Sequence, residues 1–266
     1  MIFIGEKLNS SITAVFEAVE TADAVWIQQM AAAQEDAGAD YIDVNAGMFN
    51  EDEAEKLLWM IDTVRAVTSL PLCIDTPSPE VAAKAMQRYQ GPKPLLNSIT
   101  LEKDRFEPML ETALKYKTGL IALCMDDNGM PETVEARVDI AKRLAQKLTA
   151  AGIAAKDIFV DPMLSPVSTG DTAGADALSA IRQIRNALPE CHITCGLSNV
   201  SYGLPARAYI NRAFLLTAMT AGLDSAIVNP LDKELMSLYY AANTVLGNDE
   251  YCCEYIQQYR DGMFDR

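Results

Sequence analysis

The chain has 266 residues, of which 50% are apolar, and it carries a formal net charge of −15 with a single histidine. A surface this acidic repels phosphate groups, so we expect no binding to nucleic acid or to an anionic membrane. No apolar run approaches the ~18 residues that span a bilayer, and the N-terminus carries no leader pattern. We therefore expect a cytoplasmic protein without a transmembrane helix.

Short apolar runs bounded by Gly, Pro or Asp recur along the chain and predict eight strands. In chain order these strands are Ile2–Gly5, Tyr41–Val44, Leu72–Ile74, Pro94–Leu96, Leu120–Cys124, Ile158–Val160, Ile193–Gly196 and Ser225–Val228. Several of the runs are apolar throughout, as in parallel strands that are covered on both faces.

Between the strands the apolar period changes to about 3.6 residues, which predicts helices. In chain order these helices are Ala24–Ala37, Glu51–Val67, Pro79–Arg88, Leu101–Tyr116, Glu132–Ala151, Ala173–Leu188, Pro205–Ala221 and Lys233–Leu246. The repeated alternation of strand and helix predicts an α/β fold, a single (β/α)8 TIM-barrel domain that covers residues 1–266.

The stretch 248–266 follows the eighth helix and is predicted to form a C-terminal helical tail. Tyr251, Tyr255 and Tyr259 recur every four residues, so a helix would carry them as one aromatic stripe. Such a stripe most often packs on its own domain, and a subunit interface is the alternative.

Most of the predicted strands end at a carboxylate or a carboxamide. The polar residues at these ends are Glu6, Asp43, Asn45, Asp75, Asn97, Asp126, Asp161, Asn199 and Asn229. TIM barrels hold their active sites at the C-terminal ends of the strands, so these side chains predict a pocket rich in Asp and Asn. For any single position, the alternative is that a polar residue merely begins a surface loop.

Several kinds of site are excluded by what the strand ends lack. The only histidine, His192, opens the seventh predicted strand at the end opposite the pocket, which excludes histidine triads and histidine-rich metal sites. The six cysteines form no Cys-x-x-Cys pair and are expected to be reduced, structural thiols. Lys7 lies just beyond the first strand, where Glu6 and Asn9 predict a loop, so no strand presents a lysine for Schiff-base chemistry.

The polar groups that remain match a flat heterocycle. Asp43 and Asn45 are two residues apart and share one face of an extended strand. Carboxylates only accept hydrogen bonds, whereas carboxamides both donate and accept them. Together with Asp75, Asn97 and Asp161, they suit a ring edge of alternating N–H and C=O groups, such as that of a pterin. The alternative is an acidic Mg²⁺ site, and the interleaved amides favour the organic ring.

One block carries a specific resemblance. The sequence Gly196-Leu-Ser-Asn-Val-Ser-Tyr-Gly-Leu-Pro-Ala-Arg207 is similar to the signature of the pterin-binding methyltransferases that act on methyltetrahydrofolate and a corrinoid protein. That family includes the folate domain of cobalamin-dependent methionine synthase and the stand-alone methyltransferase of acetyl-CoA-forming bacteria. Blocks that agree in the family's order are Gly5-Glu-Lys-Leu-Asn9, Asp43-Val-Asn45, Asp75-Thr76, Asn97-Ser-Ile-Thr-Leu-Glu102, Met125-Asp-Asp-Asn-Gly-Met-Pro131 and Asp161-Pro162.

The resemblance implies a TIM barrel, usually a homodimer, that binds folate at its C-terminal mouth. It implies that Asp75, Asn97 and Asp161 hold the amino and ring N–H edge of the pterin. Asn199 would be the catalytic residue, a hydrogen-bond partner of the pterin N5. The other substrate-binding positions that the resemblance implies are Glu6, Asn9, Asp43, Asn45, Gly196, Ser198 and Arg207.

Within that set, Gly196 and Ser198 would shape the wall below the ring. Arg207 would orient the Ser198–Asn199 loop or face the benzoyl-glutamate tail of the folate. The chain departs from the family at Lys7, where relatives often have arginine, and in the proline-containing stretch 77–79.

The implied reaction is methyl transfer between N5 of tetrahydrofolate and the cobalt of a corrinoid that a partner protein carries, with no metal bound by this chain. We favour transfer from the methylcorrinoid to tetrahydrofolate in a demethylation pathway, and the reverse direction stays open. The alternatives are an enzyme like dihydropteroate synthase, which the absence of a basic residue at the eighth strand end disfavours, and a non-catalytic folate-binding module.

Overall fold

The computed structural model describes residues 1–265, and in it eight parallel strands form the wall of a barrel in the order β7-β6-β5-β4-β3-β2-β1-β8. The strands are β1 (Ile2–Asn9), β2 (Tyr41–Asn45), β3 (Leu72–Asp75), β4 (Leu95–Ile99), β5 (Gly119–Leu123), β6 (Ile158–Asp161), β7 (His192–Ile193) and β8 (Ser225–Val228). A parallel bridge between Gly196, in the loop after β7, and Ile227 of β8 closes the ring. The predicted TIM barrel is thus confirmed.

Helices follow the strands and cover the outer face of the barrel. They are α1 (Thr13–Glu20), α2 (Ala24–Asp36), α3 (Glu53–Arg65), α4 (Pro79–Arg88), α5 (Lys103–Tyr116), α6 (Val134–Ala150), α7 (Ala173–Ala187), α8 (Arg207–Ala221), α9 (Lys233–Val245) and α10 (Cys253–Arg260). Side-chain caps fix several helix starts. For example, the Ser78 hydroxyl accepts a hydrogen bond from the Val81 N–H, and Pro79 occupies the first turn.

The structure differs from the sequence prediction in three segments. Helix α1 was not predicted, because its eight residues are too short to show a clear period, although Val15 and Val19 are buried. Strand β7 has only two residues instead of four, since the chain leaves the regular ladder after Ile193. Strand β1 runs on to Asn9, so the prediction that Lys7 lies in a loop was wrong.

The C-terminal tyrosines do not form the single stripe that their spacing predicted. Tyr251 precedes α10 with a φ of 54° and lies outside the helix. Tyr255 packs on Phe264 with ring centroids 4.7 Å apart, whereas Tyr251 and Tyr259 are exposed. Only one of the three rings therefore packs on its own domain.

Two apolar clusters build the core. The larger one lies between the strands and the surrounding helices. The smaller one combines residues from five strands, namely Ile4, Cys73, Leu95, Ile121 and Phe159. Side chains alternate between the two faces of a strand, so the smaller cluster fills the barrel interior and forms the floor beneath the C-terminal mouth.

All six cysteines are free thiols, four of them buried. His192 lies at the start of β7, where its Nδ1 is 3.0 Å from Asp224 Oδ2. None of the helices within residues 1–265 is long and apolar enough to cross a bilayer.

Candidate active site

A cavity of about 880 Å³ opens at the C-terminal mouth of the barrel. Ten of the predicted site residues line it, and they come from β1, β2, β3, β4, β6, the loop after β7 and the start of α8. These residues are Glu6, Asn9, Asp43, Asp75, Asn97, Asp161, Gly196, Ser198, Asn199 and Arg207. Since sequence-distant strand ends meet in one cavity, we infer that this is the functional site.

Strand periodicity explains why these side chains point inward. Five of them lie two residues beyond an apolar side chain of the barrel interior, and residues two apart share one face of a strand. The pairs of interior and cavity residues are Ile4 and Glu6, Tyr41 and Asp43, Cys73 and Asp75, Leu95 and Asn97, and Phe159 and Asp161. These five cavity residues, Glu6, Asp43, Asp75, Asn97 and Asp161, form a polar tier directly above the apolar floor.

Two strands carry an extra residue at the mouth. Gly5 pairs with Ile42 and Leu8 pairs with Val44, so two residues of β1, Glu6 and Lys7, lie opposite one residue of β2. A second register shift lies between Asn97 and Ile99 of β4. Such bulges re-aim side chains next to active sites. Both residues at the β1 shift line the cavity, as do Asn97 and Ser98 at the β4 shift.

The carboxylates of the polar tier sit in a poorly solvated environment. Burial raises the pKa of Asp75 to about 6 and the pKa of Asp161 to about 6. The pKa of Asp43 is raised well above its usual range, first by burial and then by the charge of Asp75. Near neutral pH, Asp75 and Asp161 are therefore anionic acceptors whose solvation a ligand must replace, which favours partners that donate N–H groups.

Of the strand-end residues that predicted the pocket, Asp126 and Asn229 do not line the cavity. Asn45, a predicted substrate-binding position, does not line it either. Its Nδ2 donates to Asp75 Oδ2 at 2.9 Å, and its Oδ1 accepts hydrogen bonds from the Ser10 hydroxyl and the Gly47 N–H. These bonds hold the Asp75 carboxylate in place from behind. Asn45 therefore positions Asp75. It does not belong to the cavity wall, where the sequence had placed it.

The loop after β7 and the start of α8 form one side of the cavity. The Ser198 hydroxyl donates to the Glu6 carboxylate at 2.9 Å, which joins this loop to β1. The Arg207 guanidinium donates to the Ser198 carbonyl at 2.6 Å and to the Ser201 hydroxyl at 3.0 Å. Of the two roles that the resemblance implied for Arg207, these contacts fit the orientation of the loop.

Gly196 lies against the side chain of Asn199. A Cβ atom at Gly196 would lie 2.9 Å from Asn199 Nδ2, closer than real side chains pack. The Asn199 N–H also donates to the Gly196 carbonyl at 3.1 Å. The glycine therefore provides the space in which the Asn199 amide folds back over the cavity.

Sequence reasoning missed part of the lining. The additional lining residues are Lys7, Ser11, Ile12, Pro77, Ser98, Arg105, Leu123, Tyr202 and Ile227. Arg105 lies in the first turn of α5 and donates to Glu102 at 3.0 Å and to the Ser98 carbonyl at 3.3 Å. The sequence did offer a signal for Arg105. It is a basic residue in the first helical turn after the polar end of β4.

Within residues 1–265, no group of three or more His, Cys, Asp or Glu side chains is placed so as to hold a metal ion. Asn97 stands beside Asp75 in the register of β3 and β4, so an amide adjoins this carboxylate of the polar tier.

The model of the family described as "Pterin binding enzyme" matches residues 5–229 of the chain. The chain belongs to this family. The matched range begins in β1, ends just after β8 and includes every residue of the polar tier.

Individual relatives agree. The chain is 37% identical to the methylcorrinoid:tetrahydrofolate methyltransferase of Eubacterium limosum over 98% of this chain and 97% of that protein. It is 28% identical to the methionine synthase of Mycobacterium leprae, of which it spans only 20%.

Solved structures of dihydropteroate synthases share the fold. The enzyme from Yersinia pestis, solved with a sulfonamide drug complex, aligns with a TM-score of 0.70 at 16% identity and covers 93% of this chain and 94% of its own. The enzyme from Xanthomonas albilineans, solved with 7,8-dihydropteroate, aligns with a TM-score of 0.65 at 19% identity, with 94% and 93% of the two chains covered. At these identities the likeness concerns the barrel alone.

Proposed function

We propose that this protein transfers a methyl group between the cobalt of a corrinoid protein and N5 of tetrahydrofolate, and that it works from the methylcorrinoid toward methyltetrahydrofolate. The observation that carries the proposal is the convergence of Asp75, Asn97, Asp161 and Asn199 on one cavity in a chain similar from end to end to a methylcorrinoid:tetrahydrofolate methyltransferase. The homology supports the direction of transfer.

The polar tier suits the pterin ring of the folate. The 2-amino group and the ring N–H of a pterin are adjacent donors, and the Asp75 and Asp161 carboxylates are poorly solvated acceptors on opposite sides of Asn97. The Asn97 amide can both donate and accept, so it can serve the ring nitrogens or the carbonyl. Hydrogen bonds to a charged acceptor contribute about 1.5–3 kcal/mol each, which suffices to fix the orientation of the ring.

At N5 the reaction exchanges one bond for another. In the proposed direction, N5 of tetrahydrofolate attacks the methyl carbon, the N5–C bond forms, and the C–Co bond breaks with its electron pair left on Co(I). The N5 proton must then leave. Asn199 lines the cavity, and in this proposal its amide hydrogen-bonds N5 and orients the lone pair without itself becoming a base. Water carries the proton away in this scheme.

The chain contributes positioning as well as hydrogen bonds. A folate that is held at its amino edge presents N5 to the rim, and well-oriented reactants can gain effective molarities of about 10⁵–10⁸ M. Tyr202 lies on that rim and is 68% exposed, so a large partner can approach it. In this proposal the corrinoid protein binds there transiently. We also propose, from the family resemblance, that the enzyme is a cytoplasmic homodimer of single-domain subunits.

The decisive experiment uses the purified protein with tetrahydrofolate and a methylated corrinoid protein. Methyltetrahydrofolate should form, and cobalt should change its absorbance to that of Co(I), only when all three components are present. Asn199→Ala should slow this turnover about tenfold to a hundredfold, because one hydrogen bond to a group that becomes charged is lost, while folate binding persists. Binding of folate without any corrinoid-dependent turnover would instead identify a storage module and refute the proposal.

Dihydropteroate synthesis is tested in the same preparation. The cavity receives Ile227 from β8, a side chain that offers no contact for a pyrophosphate. We expect no consumption of para-aminobenzoate with a pterin pyrophosphate. Size-exclusion chromatography with light scattering checks the homodimer.

A further inference from the structure

We propose that Lys7 binds the glutamate carboxylate of the folate tail and so selects folates over free pterins. This inference rests on the proposed function, because it assumes that the pterin occupies the polar tier. It assigns a role to a cavity residue that the sequence had placed in a loop, away from the pterin contacts.

The β1 bulge explains why a lysine reaches the cavity at all. Successive side chains of a regular strand point to opposite faces, so Glu6 and Lys7 could not both face inward. The extra residue between Gly5 and Leu8 removes this restriction, and both side chains line the mouth. The bulge is held from behind by Gln34 of α2, which is fully buried and whose Oε1 accepts the Lys7 N–H at 2.9 Å.

Three cations line the cavity, and two of them are already engaged. Arg207 binds the Ser198 carbonyl, and Arg105 forms an ion pair with Glu102 at 3.0 Å. Within residues 1–265, the half-buried Lys7 ammonium forms no ion pair with any carboxylate. It is therefore the cavity cation that is available to an anionic ligand group, and it raises the local potential at the rim of an acidic protein.

The ring order of the strands places Lys7 on the tail side. Asp75, Asn97 and Asp161 belong to β3, β4 and β6, and the strands across an eight-membered ring from this arc are β8 and β1. In a tetrahydropterin, C6 bears the tail and lies at the end of the bicycle opposite the 2-amino edge. A ring that is held by the three anchors therefore directs C6 and its tail toward β1 and Lys7.

The chemistry of the tail completes the match. The benzoyl-glutamate substituent ends in two carboxylates, and further glutamates in a polyglutamate add more. A lysine ammonium is a point charge on a flexible stem, so it can follow a carboxylate that is held loosely at a rim. Free tetrahydropterins lack this group and would gain nothing from Lys7.

The test compares binding of three ligands to the full-length protein: a tail-less 5,6-dimethyltetrahydropterin, 5-methyltetrahydrofolate, and its triglutamate. Lys7→Met should weaken binding of both tailed ligands about threefold to fivefold at low salt, while the Kd of the tail-less ligand stays the same. Lys7→Arg should restore most of the loss. The advantage of the tailed ligands in the wild type should shrink as salt is added, because salt screens exposed charges.

Lys103→Met is the matched control. Lys103 lies in the first turn of α5, its side chain is 87% exposed, and it does not line the cavity, so this substitution removes the same charge without changing the ratio of the affinities. Equal weakening of tailed and tail-less ligands by Lys7→Met, or no effect on either, would overturn the assignment. Corrinoid-dependent turnover would continue in that case, and the proposed function would stand. A wild-type protein that binds none of the three ligands would refute the proposed function instead.

Discussion

Replacement of Asp161 by asparagine should make the protein more stable and its folate binding weaker. The Asp161 carboxyl is 7% exposed, and its Oδ1 accepts the Met163 N–H at 2.7 Å. Burial raises its pKa from 3.8 to about 6. A carboxyl whose folded-state pKa is raised holds its proton more tightly when folded, so the fold loses stability as the pH rises from about 4 to about 6, and the loss is complete above about pH 6.

The magnitude follows from that rise in pKa. A change of about 2 pH units at about 1.4 kcal/mol each gives about 3 kcal/mol at pH 7. Loss of charge on the acceptor of the Met163 N–H offsets about 1 kcal/mol of this gain. We therefore expect Asp161→Asn to raise the free energy of unfolding by about 1–2 kcal/mol at pH 7. The gain should disappear below about pH 4, where the carboxyl is protonated in both folded and unfolded protein.

Urea unfolding of the apoprotein from pH 4 to pH 7 measures this difference directly. The matched control is Asp139→Asn on α6, where the side chain is 66% exposed and the same charge is removed without burial. Calorimetry should show methyltetrahydrofolate bound about tenfold to a hundredfold more weakly by Asp161→Asn, because a charged acceptor of the pterin N–H edge is lost. A variant that is no more stable than wild type at pH 7, or equally stabilised at every pH, would refute the electrostatic reasoning.

Three further predictions concern the same cavity. Because the pKa values of Asp75 and Asp161 are both about 6, the Kd of methyltetrahydrofolate should rise as the pH falls below 6, and a pH-independent Kd between 5 and 7 would count against carboxylate anchors. Gly196→Ala should lower kcat about tenfold with little change in Kd, because its methyl group displaces the Asn199 amide; rapid-mix kinetics separates the two constants. Arg207→Met should free the Ser198 loop, which faster amide hydrogen exchange across 197–202 would report and unchanged exchange would contradict.

Much of the barrel could be predicted because its strands are short apolar runs with a polar residue at one end. The alternation of two that places Leu95 in the floor and Asn97 in the cavity is a local property of the chain. Strand β8 was predicted with its observed bounds for the same reason. The short β7 was overestimated, because the Ile193–Gly196 run is apolar enough for a strand while the loop that carries Asn199 bends it away.

The parts of the site that escaped prediction depend on register between strands. Nothing in the order Gly5-Glu6-Lys7-Leu8 states that one extra residue lies opposite β2, because a bulge is a relation between two strands. Asn45 was assigned to the wall by the same alternation, but its amide turns toward the Asp75 carboxylate that register places beside it. Arg105 reaches the cavity from a helix, through a turn whose direction only the folded chain defines.

The apolar floor sets a limit on depth. Ile4, Cys73 and Phe159 lie one pleat below the polar tier, so a pterin ring that rests on them cannot enter the barrel more deeply. Its reactive nitrogen would stay close to the solvent, where a corrinoid that is too wide to enter the barrel could still reach it. Because the cavity is shallow, a folate and a corrinoid could exchange a methyl group without either being enclosed by the protein.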